Sequence, residues 1–221
     1  MKKTIKKVIK KTKKTKTLVN FILDKSGSMG GVRDATISGF NEYINTLKKD
    51  GNEYDFSLTL FDTEVLEKYV SKSLKSVDEL DSKSYVPDGM TALYDAVCRT
   101  VEGVKKSVSK GTKVLTVIMT DGCENSSKEY TEKNMKELVK KLEATKLWSF
   151  IYLGANQDAW ANAGAWGFAS SNVSNFNSTG KGVTATFAVM ATNTSAFGGG
   201  GGGSTLSFFS KDDQDKLKAT K

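Results

Sequence analysis

Leu18-Val19-Asn20-Phe21-Ile22-Leu23-Asp24-Lys25-Ser26-Gly27-Ser28 is the stretch on which the reading of this chain turns. Its first six residues are apolar almost throughout, the pattern of a strand covered on both faces, as strands are in parallel sheets. The polar turn that follows offers a carboxylate and two hydroxyls at alternate positions. Gly27 lets the backbone turn there. A loop leaving a strand can aim such alternate side chains at one point, so Asp24, Ser26 and Ser28 are candidate ligands of a single centre.

Outward from this stretch, strand and helix patterns alternate. Val32, Thr36, Phe40, Tyr43, Ile44 and Leu47 recur at steps of three and four, one face of a helix of about four turns. Tyr54 to Phe61 alternates as a strand. Asp62-Thr63 then reads as a tight turn into a second strand, Glu64 to Ser71, an antiparallel edge. Residues 72–90 read as irregular, with one helical turn near Val77 to Leu80. A helix follows with Leu93, Val97, Val101, Val104 and Val108 on one side. Lys113 to Thr120 has the composition of a central strand, Met135, Leu138, Val139 and Leu142 mark a further helix, and Trp148 to Leu153 a strand stopped by Gly154. Beyond it the pattern predicts a short helix over Asn156 to Gly164 and another over Gly182 to Phe197. This order argues an α/β fold: a doubly wound, Rossmann-like, mostly parallel sheet with one antiparallel edge strand and helices on both faces. Sheets of that kind bind ligands outside the carboxyl ends of their strands, where the strand order reverses.

The 221 residues suit one domain. The expected organisation is a basic arm over 1–16, a domain over 17–197, a six-glycine linker over 198–203, and a tail over 204–221 in which Ser210 and Asp213 could cap a short helix. Leu206, Phe208 and Phe209 give that tail apolar groups with which to dock. The formal charge of +8 misleads, because nine of the 33 basic residues are lysines within residues 1–17, where no acid occurs. The rest is close to neutral. No stretch is long and apolar enough to span or insert into a membrane, and no secretory signal is read. Cys98 and Cys123 are too few for a disulfide framework, so reduced thiols and a cytoplasmic location are expected. The chain has no histidine, which removes Ser-His and Cys-His catalysis and disfavours catalytic zinc.

Two downstream pieces answer the first. Thr91 lies in Gly89-Met90-Thr91-Ala92-Leu93, before a predicted helix, and Asp121 lies in Met119-Thr120-Asp121-Gly122, after a predicted strand. Asp24, Ser26, Ser28, Thr91 and Asp121 together make an oxygen-only donor set of two carboxylates and three hydroxyls. Such a set suits a hard dication, Mg²⁺ or Mn²⁺. Two carboxylates leave the cation residual positive charge, and a position left free can take an outside carboxylate. Each residue also has a plainer reading: a polar turn for Asp24 to Ser28, a helix N-cap for Thr91, an Asp-Gly turn for Asp121. Glu124 and Asp158 read as solvated loop acids near the rim, and Cys98 as a core thiol.

The five-part constellation resembles the metal-ion-dependent adhesion site of von Willebrand factor A (VWA) domains, and the resemblance covers roughly residues 17–175. The segment Asp121-Gly122-Cys123-Glu124-Asn125-Ser126-Ser127 resembles small stand-alone VWA proteins of bacteria and their phages. The resemblance implies a metal-binding, non-enzymatic module: the serines bind the metal directly, the threonine and aspartates bind directly or through water, and an Asp or Glu of a protein partner completes the shell. The lysine arm and the glycine run lie outside it. Two other functions remain in view. Residues 2–16 could contact a polyanion or nucleic acid through charge, without base stacking, since no aromatic residue interleaves the lysines. Asp24 could serve phosphoryl transfer, but the second acid that dehalogenase-like phosphatases carry two residues on is replaced by Ser26, and no P-loop sequence occurs.

Overall fold

A computed structural model describes residues 16–155, 163–199 and 207–220. The basic arm up to residue 15, most of the helix expected over Asn156 to Gly164 (with Asp158), residues 200–203 of the glycine run and Leu206 lie outside these residues.

Six strands form one sheet: β1 (Thr17–Asp24), β2 (Tyr54–Phe61), β3 (Val65–Ser73), β4 (Lys113–Thr120), β5 (Trp148–Gly154) and β6 (Val173–Asn175). Their spatial order is β3-β2-β1-β4-β5-β6. All neighbours are parallel except β2 and β3, so the mostly parallel α/β sheet with one antiparallel edge strand is as the sequence indicates. The helices are α1 (Arg33–Lys49), α2 (Leu93–Ser107), α3 (Glu132–Glu143), α4 (Gly180–Gly198) and α5 (Lys211–Ala219).

Every residue of β1 is buried, because it lies mid-sheet with helices on both faces. Val19, Phe21 and Leu23 enter the core beneath α1 and α4. Leu18 and Ile22 enter the opposite core, beneath α2 and α3. The first core is aromatic: Phe21 stacks on Phe187 of α4 and meets Phe40 of α1 edge-on. The chain winds from β1 to β2 and β3 on one side, then returns to β4 and winds the other way. The reversal of strand order therefore falls between β1 and β4, whose residues pair from Thr17↔Lys113 to Leu23↔Met119.

Three local expectations change. The turn expected at Val77 to Leu80 is a 3-10 turn at Leu74–Ser76. Val77 and Leu80 are buried anchors instead. Asn41 of α1 holds Leu80 extended, its amide donating to the Leu80 carbonyl and its carbonyl oxygen accepting from the Leu80 N–H, both at 2.8 Å. The glycine run begins inside a helix: Gly198 is the last residue of α4, and a Cβ there would lie 2.4 Å from the Tyr54 hydroxyl. The tail docks. Phe209 and Leu217 are buried, the Phe209 N–H donates to the Ser171 carbonyl at 2.9 Å, and the Ser210–Asp213 capping box opens α5.

The α1–α4 contact supplies a stability test. Gly39 faces Phe187 so closely that a Cβ would lie 2.4 Å from its Cδ2. The ring is held by Phe21, Phe40 and Tyr43 and has no room to move. Overpacking of this kind costs about 1–3 kcal/mol, against a gain of about 1 kcal/mol in helix propensity for Gly to Ala. Gly39→Ala should therefore lower stability by about 1–2 kcal/mol in urea unfolding. A more stable variant would show that helix propensity outweighs the contact.

Candidate metal centre

The carboxyl end of β1 delivers Asp24 with no exposed surface. Its Oδ1 accepts from the Ser26 N–H at 2.6 Å and its Oδ2 accepts from the Thr120 hydroxyl at 2.5 Å. Thr120 ends β4, so this bond ties the two strands together where their order reverses. The Tyr85 hydroxyl donates to the Asp24 carbonyl at 2.6 Å. Burial, and then the Asp24 charge, raise the Tyr85 pKa well above the usual phenol value, which keeps it a donor. Lys25, next in sequence, turns away and pairs with Asp62. Among the described residues no ion pair neutralises Asp24.

The turn that follows brings Ser26 and Ser28 to the same end of the sheet. Their hydroxyl oxygens are 3.2 Å apart, and the Ser28 hydroxyl donates to Asp121 Oδ1 at 2.6 Å. Asp121 follows β4 directly, so the predicted carboxylates sit at the ends of adjacent strands. Thr91 arrives from the loop before α2. It does not cap that helix: the N-cap is Ala92, with no side-chain cap bond. Its hydroxyl instead faces Gly122, where a Cβ would lie 2.8 Å from Thr91 Oγ1 and 3.6 Å from Ser28 Oγ. All five sequence-predicted residues thus converge. Exposure rises across them, from buried Asp24, Ser26 and Thr91, through half-buried Asp121, to exposed Ser28.

Two residue groups escape a reading of the sequence. Ser178, in the loop between β6 and α4, donates to Asp121 Oδ2 at 3.4 Å. The only local signal is a hydroxyl between a weak strand and a helix cap. Glu124 is no solvated rim acid: Oε1 accepts from the N–H groups of Ser126 (2.9 Å) and Ser127 (2.7 Å), and Oε2 from the Tyr94 N–H (3.0 Å) and the Ser127 hydroxyl (2.7 Å). Asp95 accepts from the N–H groups of Lys128, Glu129 and Tyr130. Asn125 pairs with Thr91 through its side-chain oxygen and its own N–H. These bonds clamp the loop after β4 onto the start of α2 and so set Thr91 against Asp121.

Burial pushes the Asp24 carboxyl up to about 6, partly offset by its hydrogen bonds, and the Asp121 charge adds to the rise. A buried carboxylate beside a second one calls for a cation. Among the described residues no three His, Cys, Asp or Glu side chains converge, so a cation here must draw on hydroxyls. The donors present fit a small hard ion: neighbouring oxygens of a six-coordinate Mg²⁺ lie about 3 Å apart, close to the Ser26–Ser28 separation.

No protein-family profile matches the chain, and no curated protein matches it in sequence. Solved structures do match in fold. Proximal thread matrix protein 1 from the mussel byssus, determined with a zinc-occupied MIDAS motif, is 15% identical with a TM-score of 0.58, over 80% of this chain and 47% of that one. A von Willebrand factor type A protein from Catenulispora acidiphila is 14% identical with a TM-score of 0.59, over 82% and 43%. Manganese-loaded TRAP protein from Plasmodium vivax is 19% identical with a TM-score of 0.51, over 74% and 69%. The fold is that of a VWA-type domain. At these identities the likeness is one of fold, and this chain spans about half the length of the first two proteins.

Asp24 yields a test that needs no metal. Its folded-state pKa of about 6 lies above the model value of 3.8. Between those pH values the folded chain keeps a proton that the unfolded chain has released, so stability falls as pH rises through the window and stays low above it. The shift corresponds to about 3 kcal/mol. Asp24→Asn keeps the acceptor for Ser26, and Thr120 can turn its proton to the Gly122 carbonyl, 3.2 Å away. In EDTA at pH 7.5 the variant should be the more stable protein by about 2–3 kcal/mol, with the gap closing by pH 4. An equal gap at both pH values would contradict the burial argument.

Proposed function

We propose that this chain is a non-catalytic binding module that recognises a protein partner through a divalent cation, Mg²⁺ or Mn²⁺, held by Asp24, Ser26, Ser28, Thr91 and Asp121. The observation that carries the reading is the convergence of these five oxygen side chains, from three separate segments, around a buried carboxylate that no basic side chain among the described residues neutralises. Bound there, the cation supplies a centre of residual positive charge able to take an Asp or Glu carboxylate from the partner.

The chain's own groups divide the work. Asp24 provides a fixed buried charge. Ser28 offers an oxygen lone pair while its proton goes to Asp121, so the hydroxyl binds without losing that proton. Thr91 closes the buried side, and the exposed Ser28 edge leaves the way in. The metal-loaded mussel and Plasmodium structures support the reading, since proteins of this fold hold divalent ions. The absence of histidine from the chain favours binding over turnover. The loop from Asp121 to Ser127 supports placing the chain with small stand-alone VWA proteins of bacteria or phages, and the free thiols of Cys98 and Cys123 fit a reducing cytoplasm.

Calorimetric titration with Mn²⁺ and Mg²⁺ tests the site. Ser26→Ala and Asp24→Asn should each weaken binding at least tenfold while the protein stays folded; unchanged affinity in both would sink the metal reading. Gly122→Ala should weaken it too, since the new methyl group displaces the Thr91 hydroxyl. Partner capture from lysate should be released by EDTA, whereas metal-dependent turnover of a phosphate ester would overturn the non-enzymatic assignment.

A further inference from the structure

Four large apolar side chains are exposed among the described residues, and two of them, Val86 and Met90, each 52% exposed, belong to one loop. That loop carries Thr91 and is firmly held. Tyr85 is bonded to the Asp24 carbonyl, the Asp88 N–H donates to the Lys25 carbonyl at 2.9 Å, the Gly89 carbonyl accepts from the Gly27 N–H at 3.1 Å, and the Met90 N–H donates to the Thr63 hydroxyl at 2.9 Å. A fixed loop thus presents apolar groups to water beside the candidate metal centre.

Val86 and Pro87 form one wall of a cavity of about 410 Å³, with Gly30, Gly31 and Ala35 opposite. The cavity touches three segments that carry site residues: the turn of Ser28, the loop of Thr91, and, through Gly180, the loop of Ser178. The two glycines leave the space open, since a Cβ on either would meet nothing within 4 Å. The full charges on its lining, Arg33 and Asp34, are paired with each other at 2.9 Å. What remains is apolar or glycine backbone, next to a site whose bound cation would be positive.

We infer that this groove is the side-chain subsite of the partner, which is a peptide segment carrying an acidic residue with an aliphatic residue within two positions of it. The inference rests on the metal reading above and goes beyond it in naming the partner's second contact. The acid supplies the charge complement of the cation. The aliphatic side chain covers Val86 and fills the space over Gly30 and Gly31. Partly burying one leucine side chain is worth about tenfold in affinity.

The probes are capped pentapeptides with a central aspartate in glycine, together with four versions carrying one leucine at each position within two of the acid. Binding to the full chain is followed by NMR in saturating Mg²⁺, and Mg²⁺ affinity is measured separately by calorimetry. At least one leucine peptide should bind about tenfold more tightly than the all-glycine peptide. Val86→Ser and the groove-filling Gly31→Leu should each remove that advantage and leave Mg²⁺ affinity unchanged. If no leucine position helps, or if the advantage survives both variants, the groove is not the subsite and the metal reading stands. If the advantage persists in EDTA or with asparagine replacing the aspartate, the apolar contact is independent of the cation and the inference fails. If the native chain binds no Mg²⁺, the metal reading fails and the inference falls with it.

Discussion

The carboxylate of Asp24 is fully buried at the point where the sheet reverses its strand order, and much of the surrounding architecture serves to keep it there. One oxygen is held by the backbone of its own loop and the other by Thr120 at the end of the neighbouring strand. Without such bonds the burial of an ionised carboxylate would cost many kcal/mol. With them the group remains in place, though with its pKa raised to about 6. The same two bonds fix the relative position of the β1 and β4 ends and hence of everything that follows each strand. Tyr85 adds a third attachment, pinning the Asp24 carbonyl from a loop sixty-one residues on. Lys25, which could have neutralised the group, is drawn off by Asp62 at the end of β2. The buried negative charge is thereby left for something other than a side chain to answer.

Long polar loops rarely hold one conformation without secondary structure, because their backbone groups find partners in water. Here carboxylates replace water. Asp95 and Glu124 between them accept six N–H bonds and one hydroxyl bond, from the start of α2 and from the loop after β4. Hydrogen bonds to charged acceptors are worth about 1.5–3 kcal/mol each. Glu124 also lies at the amino end of α2, where negative charge is favoured. The loop therefore behaves as part of the helix end, and Thr91 and Asp121, thirty residues apart, are held in one rigid piece.

The parts of this fold legible in the sequence are those where the signal is local. β1 and β4 are continuous apolar runs because both faces are covered, and α1 and α2 show their buried faces at helical spacing. The five oxygen residues were legible because each lies at a boundary between elements, where a polar side chain has no place in the core. The rest depends on distant contacts. β6 is three residues long and exists because Tyr152 to Gly154 offer it an edge to pair with. Ser178 gains its meaning from Asp121, and Glu124 from an N–H on α2, neither of which leaves a periodic trace. Val77 and Leu80 look like a helical turn by spacing, but Asn41 binds the Leu80 backbone in an extended form. Gly39 and Gly198 read as weak points of helices until Phe187 and Tyr54 are seen against them.

The choice of hydroxyls over further acids follows from the same buried charge. A carboxylate in place of Ser26, itself buried, would set a second ionised group beside Asp24 with no basic neighbour, and one of the two would have to stay protonated. A serine hydroxyl brings an oxygen of useful geometry at no such cost. It can be satisfied without a cation, as the Ser26–Ser28 and Ser28–Asp121 contacts show. The donor set can therefore be preformed in a stable protein instead of being assembled by the ion. A preformed set with few formal charges binds a cation less tightly than a cage of acids would. On the reading proposed above, that weakness has a use: charge that the chain does not cancel is left for a partner's carboxylate to meet.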